Sequence, residues 1–249
     1  MSGHSKWSTI KRKKAIVDAE RGKIFTKLAK EITVAARIGG GDDQTNPRLR
    51  TAVLAARGAN MPAANVERAI KKGTGELEGV TYEELTYEGY GPYGVALIIE
   101  AMTDNKNRTV SEIRHLLGKY GGNLGSSGSV AWMFDTKGII TVKAEGLDEE
   151  EVLLASVEAG AEDFSRDEDI FEITTAMSDL HTVSQKLAEA GFTIEDAEVR
   201  KIPNNFAELE QQNVASVVQL LELLEDHDDI QKVSANVDFT DEMLAGLEL

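Results

Sequence analysis

Near Gly79 the spacing of apolar residues in this chain changes, and the change divides what its two parts can fold into. Ahead of it the apolar positions recur every three to four residues. Ile24, Phe25, Leu28, Ile32, Ala35 and Ala36 line one face of a helix that Gly39-Gly40-Gly41 stops. Leu49, Ala52, Val53 and Ala56 form a second stripe ending at Gly58. Val66, Ala69 and Ile70 form a third, which begins after Met61-Pro62 and ends at Gly73. Proline near a helix start and glycine just past its end follow the usual asymmetry of helix termini. Three short helices with one apolar face each can bury those faces only against one another, so residues 22–78 are expected to form a three-helix domain.

Beyond Gly79 the period is mixed. The pattern predicts strands over 81–88 and 94–102, then a capping box, Thr109-Val-Ser-Glu112, opening a helix with Ile113 and Leu117 on its apolar face. The Gly-rich connection 121–128 leads to a strand-like stretch at 130–134. The order strand, helix, strand, strand, helix, strand predicted over 139–201 is the split βαβ pattern of a ferredoxin-like domain. A last helix over 214–224 and strand over 233–239 supply what the earlier strand-strand-helix-strand set lacks. The expectation is a multidomain α+β chain, with an N-terminal three-helix domain plus two α/β domains, at least one ferredoxin-like. Its parts are a basic arm at 1–21, the helical domain at 22–78, a discontinuous α+β domain at 79–135 plus 204–249, and an inserted ferredoxin-like α+β domain at 136–203.

Charge divides along nearly the same line. Residues 1–72 hold sixteen Lys and Arg against six Asp and Glu, a balance of +10, inside a chain of formal net charge -16. The remaining 177 residues therefore carry -26, so the two parts respond oppositely to a polyanion. In the arm, Lys6, Lys11, Arg12, Lys13, Lys14 and Arg21 can neutralise phosphates, and Trp7 offers a face on which a base can stack. The excess persists through the helices. Lys23, Lys27, Arg48, Arg50, Arg68, Lys71 and Lys72 fall outside the apolar stripes and join the candidate nucleic-acid contacts. Solvated lysines around a packed Trp7 are the plainer alternative for the arm.

Other sites are weak. The chain has no cysteine, which removes disulfides, thiolate nucleophiles and cysteine metal sites. Gly89-Tyr-Gly-Pro-Tyr-Gly94 matches G-x-G-x-x-G but precedes a strand-like run instead of a helix, so it reads as a hairpin connection. Residues 121–128 lack the Gly-Lys-Ser/Thr ending of a P-loop. His4, His115, His181 and His227 are too far apart in sequence for a helical zinc pair, and the acidic run 225–229 reads as a solvated helix end. No metal, cofactor or catalytic residue is expected. The polar stretch Asp104, Asn105, Lys106, Asn107 and Arg108 is a possible functional loop, its plainer reading being a turn with a helix cap at Asn107 or Thr109. Neither a signal peptide nor a membrane span is visible, so a soluble cytoplasmic protein without membrane partners or a small-molecule substrate is expected.

These residues resemble the YebC family. The matching stretches are Gly3-His-Ser-Lys-Trp7, Ile10-Lys-Arg-Lys-Lys14, Asp18 with Arg21-Gly-Lys23, Asn60-Met-Pro62, Glu67-Arg-Ala-Ile-Lys-Lys72, Tyr87-Glu-Gly-Tyr-Gly-Pro92, Thr103-Asp-Asn-Lys-Asn-Arg-Thr109 and Gly121-Gly-Asn-Leu-Gly125. Tyr93 departs from the family pattern, which usually has Gly after Gly-Pro. The resemblance implies a helical domain followed by two α/β domains, and a non-enzymatic role in gene expression. Family members are described as probable transcriptional regulators that bind DNA. Bacterial and mitochondrial relatives point to a ribosome-associated translation factor that relieves stalled elongation. Because the similarity starts at residue 3, no removable presequence is expected.

The function expected first is a regulator binding DNA through the basic arm and helical domain. The alternative is a ribosome-associated factor contacting rRNA, which suits a basic arm containing an aromatic residue. Against the first, no helix-turn-helix spacing or zinc finger is visible. A metal-dependent nuclease ranks last, because no constellation of ligands is apparent in the sequence.

Overall fold

Asp18–Gly39 forms α1, Pro47–Gly58 forms α2 and Ala63–Thr74 forms α3. Their apolar faces meet in one core of Ile32, Ala35, Leu49, Val53, Ala56, Met61 and Val66, with Phe25, Leu28 and Ile70 at its margin. Burying a side chain such as Leu49 contributes about 2 kcal/mol. Buried Asn46 makes the first turn: its Oδ1 accepts from Leu49 N as the N-cap of α2, and its Nδ2 donates to Ala35 O and Gly40 O at 2.8 Å each, satisfying carbonyls at the end of α1. α1 and α3 pack closely at Gly73, where a Cβ would lie 2.4 Å from Thr33 O. The structure is a computed structural model that describes residues 18–167 and 169–245. Residues 18–21, read from sequence as part of the arm, belong to α1.

Glu83–Tyr90 (β1) and Ala96–Thr103 (β2) form an antiparallel hairpin whose register pairs Tyr87 with Ile99. Lys106–Lys119 (α4) follows, then Asn123–Leu124 (β3), which pairs with Gly89 and Tyr90. The hairpin connection at Pro92–Gly94 is a single 3-10 turn, and Tyr93 sits there at φ +61° in the left-handed region. The predicted capping box is corrected: the N-cap of α4 is Asn105, whose Oδ1 accepts from Arg108 N, and Thr109 lies buried inside the helix. Asn105 wins because Thr103 Oγ1 accepts from its backbone N–H and fixes the turn two residues past the strand.

Phe134–Lys143 (β4), Glu149–Ala159 (α5), Asp163–Asp167 (β5), Ile170–Ala176 (β6), Leu180–Glu189 (α6) and Ile194–Pro203 (β7) come next. The expected strand at 130–134 begins only at Phe134, after a 3-10 turn at Ala131–Met133. Gln211–Glu225 (α7), Ile230–Ala235 (β8) and the short Asp241–Leu244 (α8) complete the described chain. The last strand lies three to four residues ahead of its predicted place.

Among the described residues two four-stranded sheets result, ordered β3-β1-β2-β8 and β5-β6-β4-β7. The strands of the first come from either side, in sequence, of those of the second. In the second sheet β4 lies antiparallel between β6 and β7, the arrangement of a ferredoxin-like fold, over a core that includes Ile140, Phe171, Ile173, Val183 and Leu187. The described residues fall into two compact units, 18–130 with Glu210–Val233, and Ala131–Leu209 with 234–245. The first unit therefore holds the helical bundle together with β1, β2, α4, β3 and α7.

Candidate nucleic-acid interface

Lys6, Trp7, Lys11, Arg12, Lys13 and Lys14 lie outside the described residues. The remaining expected contacts divide by whether the molecule already uses their charge. Lys23, Lys27 and Lys30 share one face of α1 by their spacing of four and three. Lys23 pairs with Asp226 at 2.9 Å, Lys27 donates to Glu225 O, and Lys30 pairs with Asp229 at 2.6 Å. This stripe sits at the C-terminus of α7, where the carbonyl end of a helix attracts cations. Arg48 binds two carboxylates, Glu31 and Glu84, through bonds of 2.7–3.1 Å. The hydrogen bonds to Glu84 and Glu31 push its pKa above the ordinary arginine value. Arg50 donates to Asp43 O and Gln44 O and holds the turn before α2. Lys71 pairs with Glu67 one helical turn away, and Arg21 is exposed with an internal contact of its own.

Arg68 and Lys72, at i and i+4 on α3, are exposed and have no ion pair or side-chain hydrogen bond among the described residues, and the same holds for Arg57 at the end of α2. Sequence position alone does not separate these three from Arg48 or Lys30.

The stretch 104–108 resolves into a charge network. Asp229, 4% exposed, receives Lys30 on Oδ1 and, on Oδ2, Arg108 at 2.7 Å, Thr109 at 2.7 Å and Thr103 at 3.1 Å. Arg108 also pairs with Asp104 at 2.9 Å, while Lys106 and Asn107 are exposed. Burial by itself pushes the Asp229 carboxyl up; the hydrogen bonds from Lys30, Arg108 and Thr109 outweigh it and hold the group well below the usual carboxylate range. Its hydrogen bonds to Asp229 and Asp104 hold Arg108 above its ordinary value in turn. The reading of 225–229 as a solvated end is therefore corrected at Asp229, because Lys30 and Arg108 together compensate its burial. The same network buries Lys30, which periodicity had left outside the apolar stripe.

His227 and Glu112 are further members that sequence reasoning missed. With Asp229 they bring ligand-type atoms within 4.8 Å of one another. The donor set nevertheless suits a cation poorly. His227 Nδ1 accepts from Asp229 N at 3.1 Å, which leaves Nε2 to face Glu112 at 2.9 Å, and Asp229 is committed to two positive side chains. The one signal that pointed here was the cluster of Thr103, Asp104, Arg108 and Thr109 at the end of an apolar strand. Chemically the cluster is a saturated carboxylate that ties α1 to β2, α4 and the α7 terminus.

Two family models match the chain: that for the TACO1/YebC protein N-terminal domain over residues 5–76, and that for the TACO1/YebC second and third domain over 82–237. A probable transcriptional regulatory protein of Desulforapulum autotrophicum is 56% identical over 98% of both chains. One from Chlorobaculum tepidum is 52% identical over 100% of this chain and 99% of its own. The crystal structure of a conserved hypothetical protein, Aq1575, from Aquifex aeolicus superposes with a TM-score of 0.86 at 48% identity, over 92% of this chain and 95% of that one. No helix among the described residues is long and apolar enough to cross a membrane.

Proposed function

The chain belongs to the TACO1/YebC family, and from that premise we propose that it is a non-enzymatic regulator of gene expression that binds nucleic acid through its basic N-terminal end. The carrying observation is the charge division, +10 over residues 1–72 against -26 over the rest. The proposed binding end consists of the arm ahead of α1 and the helical domain that α1 opens, with Lys11, Arg12, Lys13 and Lys14 joined by Arg68 and Lys72. Relatives named probable transcriptional regulatory proteins support a DNA target. Trp7 within the basic run favours a second reading, a ribosome-associated factor on rRNA, since an aromatic face stacks unpaired bases.

Salt dependence tests the shared premise. If about six N-terminal cations contact phosphates, log affinity falls with log salt at a slope near about -5 on duplex DNA, or about -4 on a single strand. Reversing the charge of Lys11, Arg12, Lys13 and Lys14 flattens that slope; unchanged affinity and slope in the variant overturn the reading. Crosslinking in cells followed by sequencing of the attached nucleic acid separates the two targets, rRNA favouring the ribosome and promoter DNA the transcriptional role.

A further inference from the structure

Outside the basic arm, a pocket of about 350 Å³ opens between α4 and the β1 edge of the first sheet. Val110, Arg114 and Gly118, spaced four apart on α4, form one wall; Tyr87 of β1 and the backbone of 122–125 form the rest. The pocket exists because β3 is only two residues long. The chain leaves the sheet at Gly125, whose N–H donates to Glu88 O at 2.8 Å, and among the described residues no strand pairs with Tyr87 on that side.

Three observations distinguish this pocket from a packing defect. Arg114 is exposed and, among the described residues, has neither an ion pair nor a side-chain hydrogen bond. Tyr87 is half-buried and its hydroxyl makes no hydrogen bond among the described residues, while burial pushes its pKa up and keeps it a donor. Gly118 is a helical residue that packing among the described residues does not require: a Cβ built there meets none of them within 4 Å. Glycine inside a helix is unfavourable relative to alanine, so its presence keeps open a space that a methyl group would fill. Gly122 behaves oppositely, since its Cβ would lie 2.3 Å from Tyr90 O, and it is explained by packing alone.

We propose that this pocket takes a single unpaired nucleotide, the base lying on the Tyr87 ring above Gly118 and the phosphate meeting Arg114. The volume is at the small end of ligand sites, enough for one such group. Aromatic faces with an adjacent guanidinium are the common way of holding a splayed base, which a duplex does not present. The inference rests on the nucleic-acid reading above and adds a preference to it: the basic arm binds any polyanion, and the pocket selects strands with unstacked bases.

The test uses the full chain and fluorescein-labelled 12-nucleotide RNA and DNA, each single-stranded and as a duplex, with anisotropy as the readout. Arg114→Gln and Gly118→Ala are each expected to weaken single-strand binding about ten-fold and leave duplex binding and its salt slope unchanged. A 4-thiouridine strand crosslinks to peptides containing Tyr87 or Arg114 in the native protein and loses that crosslink in Gly118→Ala. If both variants bind single strands like the native chain, or lose single strand and duplex alike, the pocket proposal is overturned. In the first case the nucleic-acid reading survives, provided charge reversal at Lys11, Arg12, Lys13 and Lys14 still flattens the salt slope. A native chain that binds none of the four probes overturns both.

Discussion

Asp229→Asn removes one charge from a nearly isosteric side chain and tests the network that ties the bundle to the sheet. Lys30 is 7% exposed as a residue, and without the carboxylate its ammonium keeps, among the described residues, two carbonyls, Asp228 O at 2.8 Å and Met102 O at 3.4 Å, and the face of the Tyr82 ring, 5.5 Å from its centre. The carboxamide cannot accept on both sides, so its NH2 faces either Lys30 or the donors Arg108 and Thr109. Removing one partner of a buried pair costs about 3 to 5 kcal/mol, and the lower end applies here because Arg108, 43% exposed at its side chain, can turn to Asp104 and water. For a chain of this size about 3 kcal/mol lowers Tm by roughly 6 to 12 °C. The assay is urea unfolding at pH 7 followed by far-UV circular dichroism, with Lys30→Met and the double variant completing a cycle. The double variant is expected to regain about 1 to 2 kcal/mol relative to Asp229→Asn, since no buried ammonium is left unpaired. A loss under about 1 kcal/mol in the single variant, or strictly additive losses, would refute the assignment of a buried, compensated charge. The pH dependence has a definite sign. The folded-state pKa of Asp229 is depressed, so its contribution is fully present above the unfolded value near about 4 and is lost as pH falls further. The native chain therefore loses stability below about pH 4, and Asp229→Asn flattens that acid limb.

Tyr93→Gly places a residue suited to φ +61° where a half-exposed tyrosine now sits; relief of about 1 kcal/mol, partly offset by the entropy of glycine in the unfolded chain, predicts a stability change between zero and about +1 kcal/mol in the same unfolding assay. A clear loss would show that the ring contributes packing. Glu88 is buried and accepts Gly128 N at 2.7 Å and Val130 N at 2.8 Å, one on each oxygen. Glu88→Gln has only one oxygen for two donors, so a cost of about 1 to 3 kcal/mol is expected, with faster hydrogen exchange at Gly128 or Val130; unchanged exchange at both would refute this role.

Most of the elements were legible because their signals are local. The stripe Leu49, Ala52, Val53 and Ala56 needs only the helical period to be read, and all four residues are buried in the bundle core. The strand and helix order over 134–203 likewise follows from period and turn residues, and the order β5-β6-β4-β7 agrees with the ferredoxin-like reading. Caps were less legible. Thr109 satisfies the capping-box rule on paper, yet its hydroxyl is taken by Asp229, 120 residues away, and a local rule has no access to that competitor. The partners Lys30 and Asp229 of the charge network and the pocket are not legible for the same reason: Tyr87, Arg114 and Gly118 look like ordinary surface positions until β3 is seen to stop short.

By itself, the sequence determined the period of each element, the punctuation between elements and the segregation of positive charge toward the N-terminus, because these depend on neighbours within a few turns or on composition. Only tertiary structure decided which of those charges are spent. Lys30 and Arg68 look alike in a basic helical segment, but Lys30 meets a carboxylate 199 positions further along the chain and Arg68 meets none among the described residues. An ion pair depends on distance in space, and that distance is set by how the elements pack.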